Sequence, residues 1–262
     1  MENQMTNAMH RERARKALSG KWGTMALIVL VSVLIETVVS TLIGNATGVA
    51  SDSTGGRLIS FVLSNLIFFA LTYGLYNAAL QVIRGRSIEV GMVLSIFKGE
   101  YYIPMLLINL VQYVIDRLVG LVVLLPVLIT YGTTIYFGMM FNTTSVTQYQ
   151  NEMASDAFLA LLLFVFSILM LLISLFISGV FQFAVWTKLD HLDWGVGTVL
   201  KEALALMKGR FKQYLFLELS FVGWYIIGAL AIGIGLLWVI PYNHVALASF
   251  YDTAREEKEL SI

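Results

Sequence analysis

The amino-acid sequence predicts an all-α protein built as a polytopic transmembrane helical bundle. Of its 262 residues, 58% are hydrophobic and only 13% are charged, and the mean hydropathy is +0.79. A soluble domain usually contains about 45–50% apolar and about 25% charged residues, so a water-facing fold cannot bury this apolar excess. Backbone groups in lipid need partners within their own segment, and long apolar stretches therefore predict helices.

We predict six membrane spans, each close to the roughly 20 residues that a helix needs to cross a bilayer. The last apolar block is too long for one helix, because AIGIG at 231–235 and then Pro241 interrupt it. A hairpin near Ile232–Gly235 would divide this block into two short spans, whereas a single span ending near Trp238 would give five spans in total. The predicted segments are Met25–Ile43, Leu58–Ile83, Ile103–Thr130, Ala157–Trp186 and the divided block Tyr214–Phe250.

The distribution of basic residues predicts that both termini are cytoplasmic. Lys and Arg residues that flank short loops stay on the cytoplasmic side of a membrane. All but two of the 17 basic residues lie in the N-terminal segment, the second and fourth loops, or the C-terminal segment; the exceptions are Arg57 and Arg117. Two cytoplasmic termini require an even number of crossings, which favours six spans over five.

The first apolar stretch has an alternative interpretation as a secretory signal peptide. A basic region precedes this stretch, and the small-residue triplet Gly48–Ala50 follows it. However, the stretch is longer than the usual apolar region of about 7–15 residues, and it contains Glu36. Both features favour an uncleaved first span.

Charge and motifs exclude several classes of protein. The 17 basic and 17 acidic residues cancel, which argues against a broadly basic nucleic-acid binder. The chain has no cysteine, so it has no disulfide and no thiol nucleophile. We find no H-E-x-x-H pair, phosphate-binding loop or G-x-S-x-G motif. The sequence therefore predicts a protein without enzyme activity, metal or cofactor. Its predicted partners are membrane lipids, with another membrane protein as a further candidate.

Three short amphipathic stretches, at 12–19, 88–98 and 199–208, each lead through a glycine into a membrane span. In the third stretch, Leu200 and Leu204 lie four residues apart on one apolar face. We predict cytoplasmic helices that lie in the membrane interface. The residues expected to face lipid headgroups are Arg15, Lys21, Trp22, Lys98, Tyr101, Lys208 and Arg210.

The same pattern predicts a threefold repeat within one transmembrane domain that covers residues 1–262. Each repeat would be an interfacial helix followed by a hairpin of two spans, with boundaries at 10–83, 86–186 and 198–252. The alternative is that many multispan proteins have basic, aromatic-rich loop ends without any repeat.

Ordered motifs at both ends of the chain carry a family resemblance. The N-terminal motif is Ala14–Leu18 followed by Gly20–Gly23. The C-terminal series is Glu202–Leu204, Met207–Arg210, Leu219–Trp224, Gly233–Gly235, Pro241–Tyr242 and Phe250–Tyr251. Over essentially the whole chain, these motifs resemble the bacterial membrane family catalogued as domain of unknown function nine-seven-five. Ser178–Gly179 replaces the family's Pro-Gly, so a kink there is not expected. The resemblance implies a six-helix bacterial membrane protein, but no activity, substrate or catalytic residue.

Ionisable residues inside the predicted spans are candidate functional residues. An ionised group at the centre of a membrane helix costs on the order of 2.5–3.5 kcal/mol on insertion scales, so it needs a partner or a purpose. If the first and third spans pack together, Arg117 could bind both Glu36 and Asp116. This intramembrane polar cluster would comprise Glu36, Asp116, Arg117, Asn109, Gln112 and Asn65. It would serve either as a structural clamp or as a polar pocket for transport.

Other polar residues have simpler explanations. Glu218 lies about one turn inside the fifth span, where it could snorkel or meet Lys212 or Lys201. Asn243 and His244 follow Pro241 and could complete a backbone carbonyl that the proline leaves free. The outer loop, 131–156, would form either a cap over the membrane domain or a flexible linker.

These observations favour a non-enzymatic polytopic protein of the bacterial cytoplasmic membrane, acting as a scaffold, an assembly partner or a factor in envelope homeostasis. The alternative is a transporter or lipid-handling channel that uses the intramembrane polar cluster. The substrate, the partner and the oligomeric state are not predicted.

Overall fold

The computed structural model describes residues 5–50, 53–140 and 157–259, without the side chains at 127, 130, 131 and 134–140. Within these ranges the regular secondary structure is entirely helical, which confirms the predicted fold class. The helices are α1 (Asn7–Leu18), α2 (Trp22–Thr47), α3 (Thr54–Ile83), a 3-10 helix (Val90–Phe97), α4 (Gly99–Met140), α5 (Ala157–Asp190), α6 (Val196–Met207), α7 (Phe211–Leu230) and α8 (Leu236–Glu259).

Five of the described helices are long and apolar enough to cross a membrane: Trp22–Thr47, Thr54–Ile83, Gly99–Pro126, Ala157–Asp190 and Phe211–Leu230. They contain or closely overlap the first five predicted spans. The sixth predicted span lies in α8, whose N-terminal half is apolar and whose C-terminal half is charged. A sixth crossing therefore stays a prediction.

Some segments differ from the predicted pattern. Helix α3 contains a π-helical segment, Leu63–Phe68, that the apolar run gives no reason to expect. The second amphipathic stretch forms a 3-10 helix instead of an α-helix. Helix α4 continues to Met140, so residues 131–140 of the predicted outer loop are helical. Residues 141–156 of that loop lie outside the described residues.

The chain divides into two compact units. Within the described residues, the first unit comprises the chain up to Leu110 and again from Gly179, and the second comprises Val111–Ser178. In the second unit, Gly120 on α4 faces Met170 on α5. A Cβ added to Gly120 would lie 3.7 Å from the methyl carbon of Met170, which is an ordinary van der Waals distance. This small residue lets the two apolar helices lie side by side.

Helix α8 forms the centre of the first unit, where it packs against α1, α2, α3, α6 and α7. Aromatic side chains fill the space between α5 and α8. The ring of Tyr251 lies 5.3 Å from that of Phe183 and 5.4 Å from that of Trp186. Large aromatic side chains bury much apolar area, and pairs at these distances add further attraction. All three side chains are almost completely buried.

Two of the predicted interfacial helices join their spans in the same way. Gly20 connects α1 to α2 with φ of 76°, and Gly209 connects α6 to α7 with φ of 77°. A left-handed conformation is easy for glycine and costly for other residues, so glycine suits the end of a short helix here. The shared connection is compatible with the predicted repeat, whose boundaries stay a prediction.

The hairpin predicted near Ile232–Gly235 lies between α7 and α8. Gly228 and Gly235 face each other there, and a Cβ added to Gly235 would lie only 2.6 Å from the Gly228 Cα. After this turn, α8 returns to the end of the unit where α1 lies, because Ser249 on α8 is 3.1 Å from His10 on α1.

Candidate functional site

A buried charged cluster lies at the end of the first unit that carries α1 and α6. Arg84 follows the last residue of α3 and donates hydrogen bonds to two carboxylates. Its Nη1 and Nη2 lie 2.6 and 2.8 Å from the Asp190 oxygens, and Nη2 also lies 2.8 Å from Asp252 Oδ1. Asp190 ends α5 and Asp252 lies on α8, so a single guanidinium connects three helices.

Asp190 has two further partners on α8. The Tyr251 hydroxyl donates to Asp190 Oδ2 at 3.0 Å, and Arg255 Nη1 lies 3.3 Å from the same oxygen. We refer to Arg84, Asp190, Tyr251, Asp252 and Arg255 as the Arg84 cluster. Two guanidinium groups and two carboxylates balance its charge.

The Arg84 cluster is shielded from solvent, which strengthens its electrostatic interactions. Side-chain exposure is 17% for Arg84, 10% for Asp190 and 4% for Asp252. Burial by itself would lower the pKa of Arg84, but hydrogen bonds and charge attraction from Asp190 and Asp252 raise that pKa above its ordinary value. Arg84 therefore stays protonated and fastens the ends of α3, α5 and α8.

A cavity of about 270 Å³, here called the polar notch, opens beside the Arg84 cluster. The rings of His191 and Trp194 stack at one side, 4.0 Å apart and almost parallel. Lys258 pairs with Glu202 at the other side, 2.7 Å from Oε1. The lining residues are Thr187, His191, Trp194, Glu202, Leu206, Tyr251, Arg255, Lys258 and Glu259. The notch therefore combines both signs of charge with a flat aromatic surface.

A second polar cluster lies deeper in the first unit, between α7 and α8. Glu218 accepts hydrogen bonds from Asn243 Nδ2 at 3.0 Å and from the Tyr214 hydroxyl at 3.2 Å. His244 Nδ1 lies 3.2 Å from Gln182 Nε2 on α5. These contacts replace the lysine partners considered for Glu218 from the sequence. From the sequence, Asn243 and His244 were expected to bind the backbone carbonyl that Pro241 leaves free. In the structure they contact the side chains of Glu218 and Gln182.

The residues of the predicted intramembrane polar cluster are distributed over the two units. Glu36, Asn65 and Asn109 belong to the first unit, and Gln112, Asp116 and Arg117 to the second. Within the first unit, Asn109 Nδ2 donates to the Asn65 carbonyl at 3.0 Å. Within the second, the Arg117 guanidinium lies 5.0 Å from the centre of the Tyr113 ring. A network that joins Glu36, Asp116 and Arg117 stays a prediction.

Two of the predicted headgroup residues hold helices together. Lys21 Nζ donates to the Arg86 carbonyl at 2.7 Å, and Arg210 forms an ion pair with Glu257 at 2.9 Å. Arg15, Lys98 and Lys208 are exposed, while Trp22 and Tyr101 are half-buried. Contact of any of these residues with lipid headgroups stays a prediction.

The Arg84 cluster was not predicted, because in the sequence Arg84 is one of many basic residues that indicate membrane topology. Arg84 and Asp190 are 106 positions apart, and Arg84 and Asp252 are 168 apart. The sequence nevertheless contains a usable signal. Arg84 directly follows the long apolar helix α3, and Asp190 is the last residue of the apolar helix α5. Opposite charges at such positions are candidates for pairing.

The helices and their apolar faces define an all-α, multi-pass type of membrane protein. The chain belongs to the family described as "Protein of unknown function (DUF975)", whose model matches residues 5–258. This match confirms the resemblance found in the N-terminal and C-terminal motifs. No curated protein and no solved structure matches the chain.

Proposed function

We propose that this chain is a non-enzymatic scaffold or assembly partner in the bacterial cytoplasmic membrane, with a role in envelope homeostasis. The observation that carries the proposal is the polar notch, which lies on helix ends fastened by the Arg84 cluster. Both termini would be cytoplasmic, and the notch would face the cytoplasm. Support for this orientation comes from the basic residues of α1, α6 and their flanking loops.

A scaffold needs a surface that keeps its shape, because ordering a flexible surface on binding lowers affinity. The Arg84 cluster supports such a surface from inside. The ion pairs Arg210–Glu257 and Lys258–Glu202 add connections from α8 to the α6–α7 link and to α6. These two ion pairs are partly exposed and therefore screened by solvent, so the less exposed Arg84 cluster is the main support.

The polar notch suggests the chemistry of the partner. Trp and Arg are the residue types that most often dominate binding energy in protein interfaces, and Trp194 and Arg255 both line the notch. We therefore expect a cytoplasmic segment of another membrane protein to place a polar or charged side chain between these residues.

Site-specific crosslinking in native membranes tests the scaffold proposal. A photo-crosslinking side chain at position 192, beside the notch, should give a discrete adduct with one protein. The same side chain at position 204, exposed on α6, should not give that adduct. Trp194→Ala should abolish the adduct, whereas Trp238→Ala, which removes a tryptophan elsewhere, should leave it. Adducts of equal strength at both positions, or an adduct insensitive to Trp194→Ala, would contradict the proposal.

Deletion of the gene provides an independent test in the cell. The proposal expects a change in at least one membrane complex or an envelope-stress phenotype. Unchanged complexes together with normal envelope-stress responses would contradict a scaffold role.

Transport or lipid handling is a second candidate function. The polar cluster of Glu218, Tyr214 and Asn243 favours it, because polar groups within membrane helices often mark substrate or proton pathways. Vesicles that contain the purified protein should then move a fluorescent lipid between leaflets. Glu218→Gln, Glu36→Gln or Asp116→Asn should slow this movement without reducing the amount of folded protein. Wild-type protein that leaves lipid movement unchanged would contradict this lipid-handling role.

A further inference from the structure

An apolar groove, separate from the polar notch, lies between α7 and α8 of the first unit and reaches Arg15 on α1 and Trp22 at the start of α2. It encloses about 340 Å³, within the usual range of ligand pockets of about 300–1,000 Å³. The lining residues are Arg15, Trp22, Trp224, Ile227, Gly228, Ala231, Gly235, Trp238, Val239 and Tyr242. We call this the tryptophan groove.

Backbone and apolar side chains form the tryptophan groove along most of its length. At one end, Gly228 and Gly235 bring α7 and α8 into close contact. At the other end, the rings of Trp22 and Tyr242 lie edge to face, 6.0 Å apart. From Gly235 to Tyr242 the groove follows seven residues of α8, a rise of about 10 Å. This shape suits a hydrocarbon chain.

The groove opens toward the region where lipid would lie. Trp224 is 49% exposed, Ile227 is 62% exposed and Trp238 is 46% exposed. Trp224 and Ile227 lie on α7, and Trp22 begins α2; both helices are long and apolar enough to cross a membrane. Tryptophan is enriched where hydrocarbon meets the headgroup layer.

Positive charge is concentrated at the Trp22 end of the groove. Arg15 is exposed, lines the groove and forms no ion pair with another described residue. Arg11 lies one turn earlier on α1 and likewise has no ion pair among the described residues. A ligand that complements this site therefore has an apolar chain and an anion at one end.

We propose that the tryptophan groove binds one acyl chain of an anionic phospholipid, with the phosphate at Arg15. Charge complementarity and the apolar lining identify the ligand class. Each basic residue near an anionic membrane surface contributes roughly 1 kcal/mol, which corresponds to about fivefold in affinity. This site is independent of the polar notch and of the proposed scaffold role.

Quenching of tryptophan fluorescence by brominated lipid tests the site in the wild-type protein. Three of the five tryptophans line the groove, while Trp186 is buried in the aromatic core and Trp194 lies in the notch. The purified full-length chain is titrated in mixed micelles with phosphatidylglycerol or phosphatidylcholine brominated on the acyl chains. We expect half-maximal quenching at about fivefold lower phosphatidylglycerol than phosphatidylcholine. Equal quenching by the two lipids would overturn the proposal.

Two pairs of variants separate the headgroup site from the acyl-chain site. Arg15→Gln should remove most of the preference for phosphatidylglycerol, whereas Lys16→Gln, which removes an exposed charge on the next residue, should retain it. Ala231→Phe, which adds no tryptophan, should fill the groove and prevent quenching of Trp22 and Trp224 by either lipid. Ala229→Phe, at an exposed position on α7 that does not line the groove, is the control.

Size-exclusion chromatography first verifies that each variant is folded and of wild-type size. The proposal is overturned if Arg15→Gln and Lys16→Gln behave alike, or if Ala231→Phe and Ala229→Phe do. It is also overturned if neither lipid quenches the wild-type protein. A mass that corresponds to a dimer would then indicate that a second copy covers the groove.

Discussion

At the scale of single residues, Arg84 forms the two most buried ion pairs among the described residues. Both Asp190 and Asp252 depend on its guanidinium, and both are well buried. A lysine could not replace Arg84, because an ammonium group lacks the planar set of donors that reaches two carboxylates at once. The helix ends at the notch should therefore be sensitive to this side chain.

We expect Arg84→Leu to lower the free energy of unfolding by about 3–5 kcal/mol, since it leaves two buried carboxylates without their shared partner. Thermal unfolding of the purified protein in detergent measures the effect. Arg86→Leu is the matched control, because Arg86 is exposed and its guanidinium donates a hydrogen bond to the neutral side chain of Gln81. Equal midpoints for the two variants would contradict the structural role of Arg84.

His10 gives a pH-dependent prediction. Its ring is 1% exposed and lies against Ser249 and Phe250. Burial, with a smaller contribution from the charge of Arg13, lowers the pKa of His10 from 6.5 to about 4. The folded protein therefore keeps this ring neutral under conditions in which the unfolded chain binds a proton. The stabilisation is fully present above pH 6.5 and is lost as the pH falls toward 4.

At pH 5, the unfolded chain gains about 2 kcal/mol from protonating His10, relative to the folded protein. We expect the wild-type protein to lose more stability between pH 7.5 and pH 5 than His10→Gln, which cannot titrate. Denaturant unfolding in detergent at both pH values measures the difference. Parallel losses in the two proteins would show that His10 does not titrate with a lowered pKa.

At the scale of helices, the hairpin between α7 and α8 depends on a backbone contact between Gly228 and Gly235. No side chain fits between them, because a Cβ on Gly235 would lie 2.6 Å from Gly228 Cα. Among the described residues, no atom lies within 4 Å of a Cβ added to Gly223, earlier on α7. The two glycines therefore have different roles, although both lie in apolar sequence.

We expect Gly235→Ala to destabilise the protein by about 1–3 kcal/mol, as overpacking usually does. Gly223→Ala should be neutral or slightly stabilising, because alanine is a better helix former than glycine. Thermal midpoints of the two variants, measured in the same detergent, test this difference. Gly235→Ala with a midpoint equal to that of Gly223→Ala would show that α7 and α8 do not meet closely at the turn.

At the scale of the whole molecule, the side of the membrane on which each loop lies distinguishes six crossings from five. The chain has no cysteine, so single cysteines can be introduced one at a time without a background signal. Six crossings predict that Ser19→Cys, Thr198→Cys and Glu259→Cys react with an impermeant thiol reagent only after the membrane is opened. Thr54→Cys and Ile232→Cys should react in intact cells. Labelling of Glu259→Cys in intact cells would instead support five crossings.

The fold class was predictable because it depends on composition and on the lengths of apolar runs. For example, the predicted first span, Met25–Ile43, lies within α2. Segment boundaries were less predictable, because α4 continues ten residues beyond the predicted end at Thr130. The π-helical segment in α3 was also not predictable from the local sequence, because packing against other helices decides where such a segment forms.

The candidate sites were predictable only in part. Arg15 and Trp22 were predicted to lie at the membrane interface. In the structure they line one groove together with Gly235, Trp238 and Val239, which lie at or near the start of α8. Glu218 was noticed as an ionisable group in a span, but its partner Asn243 lies across the hairpin on α8. Pairing across helices depends on helix rotation, which apolar sequence specifies weakly.

The sequence by itself determined that this chain is helical, that several of its helices are apolar enough to cross a membrane, and that it belongs to its family. These properties are local, because they depend on hydrophobic runs, glycine positions and short motifs. Only the tertiary structure decided that Arg84, Asp190 and Asp252 meet, and that tryptophans from α2, α7 and α8 form one groove. Such contacts join residues far apart in the chain, and their formation depends on how whole helices pack.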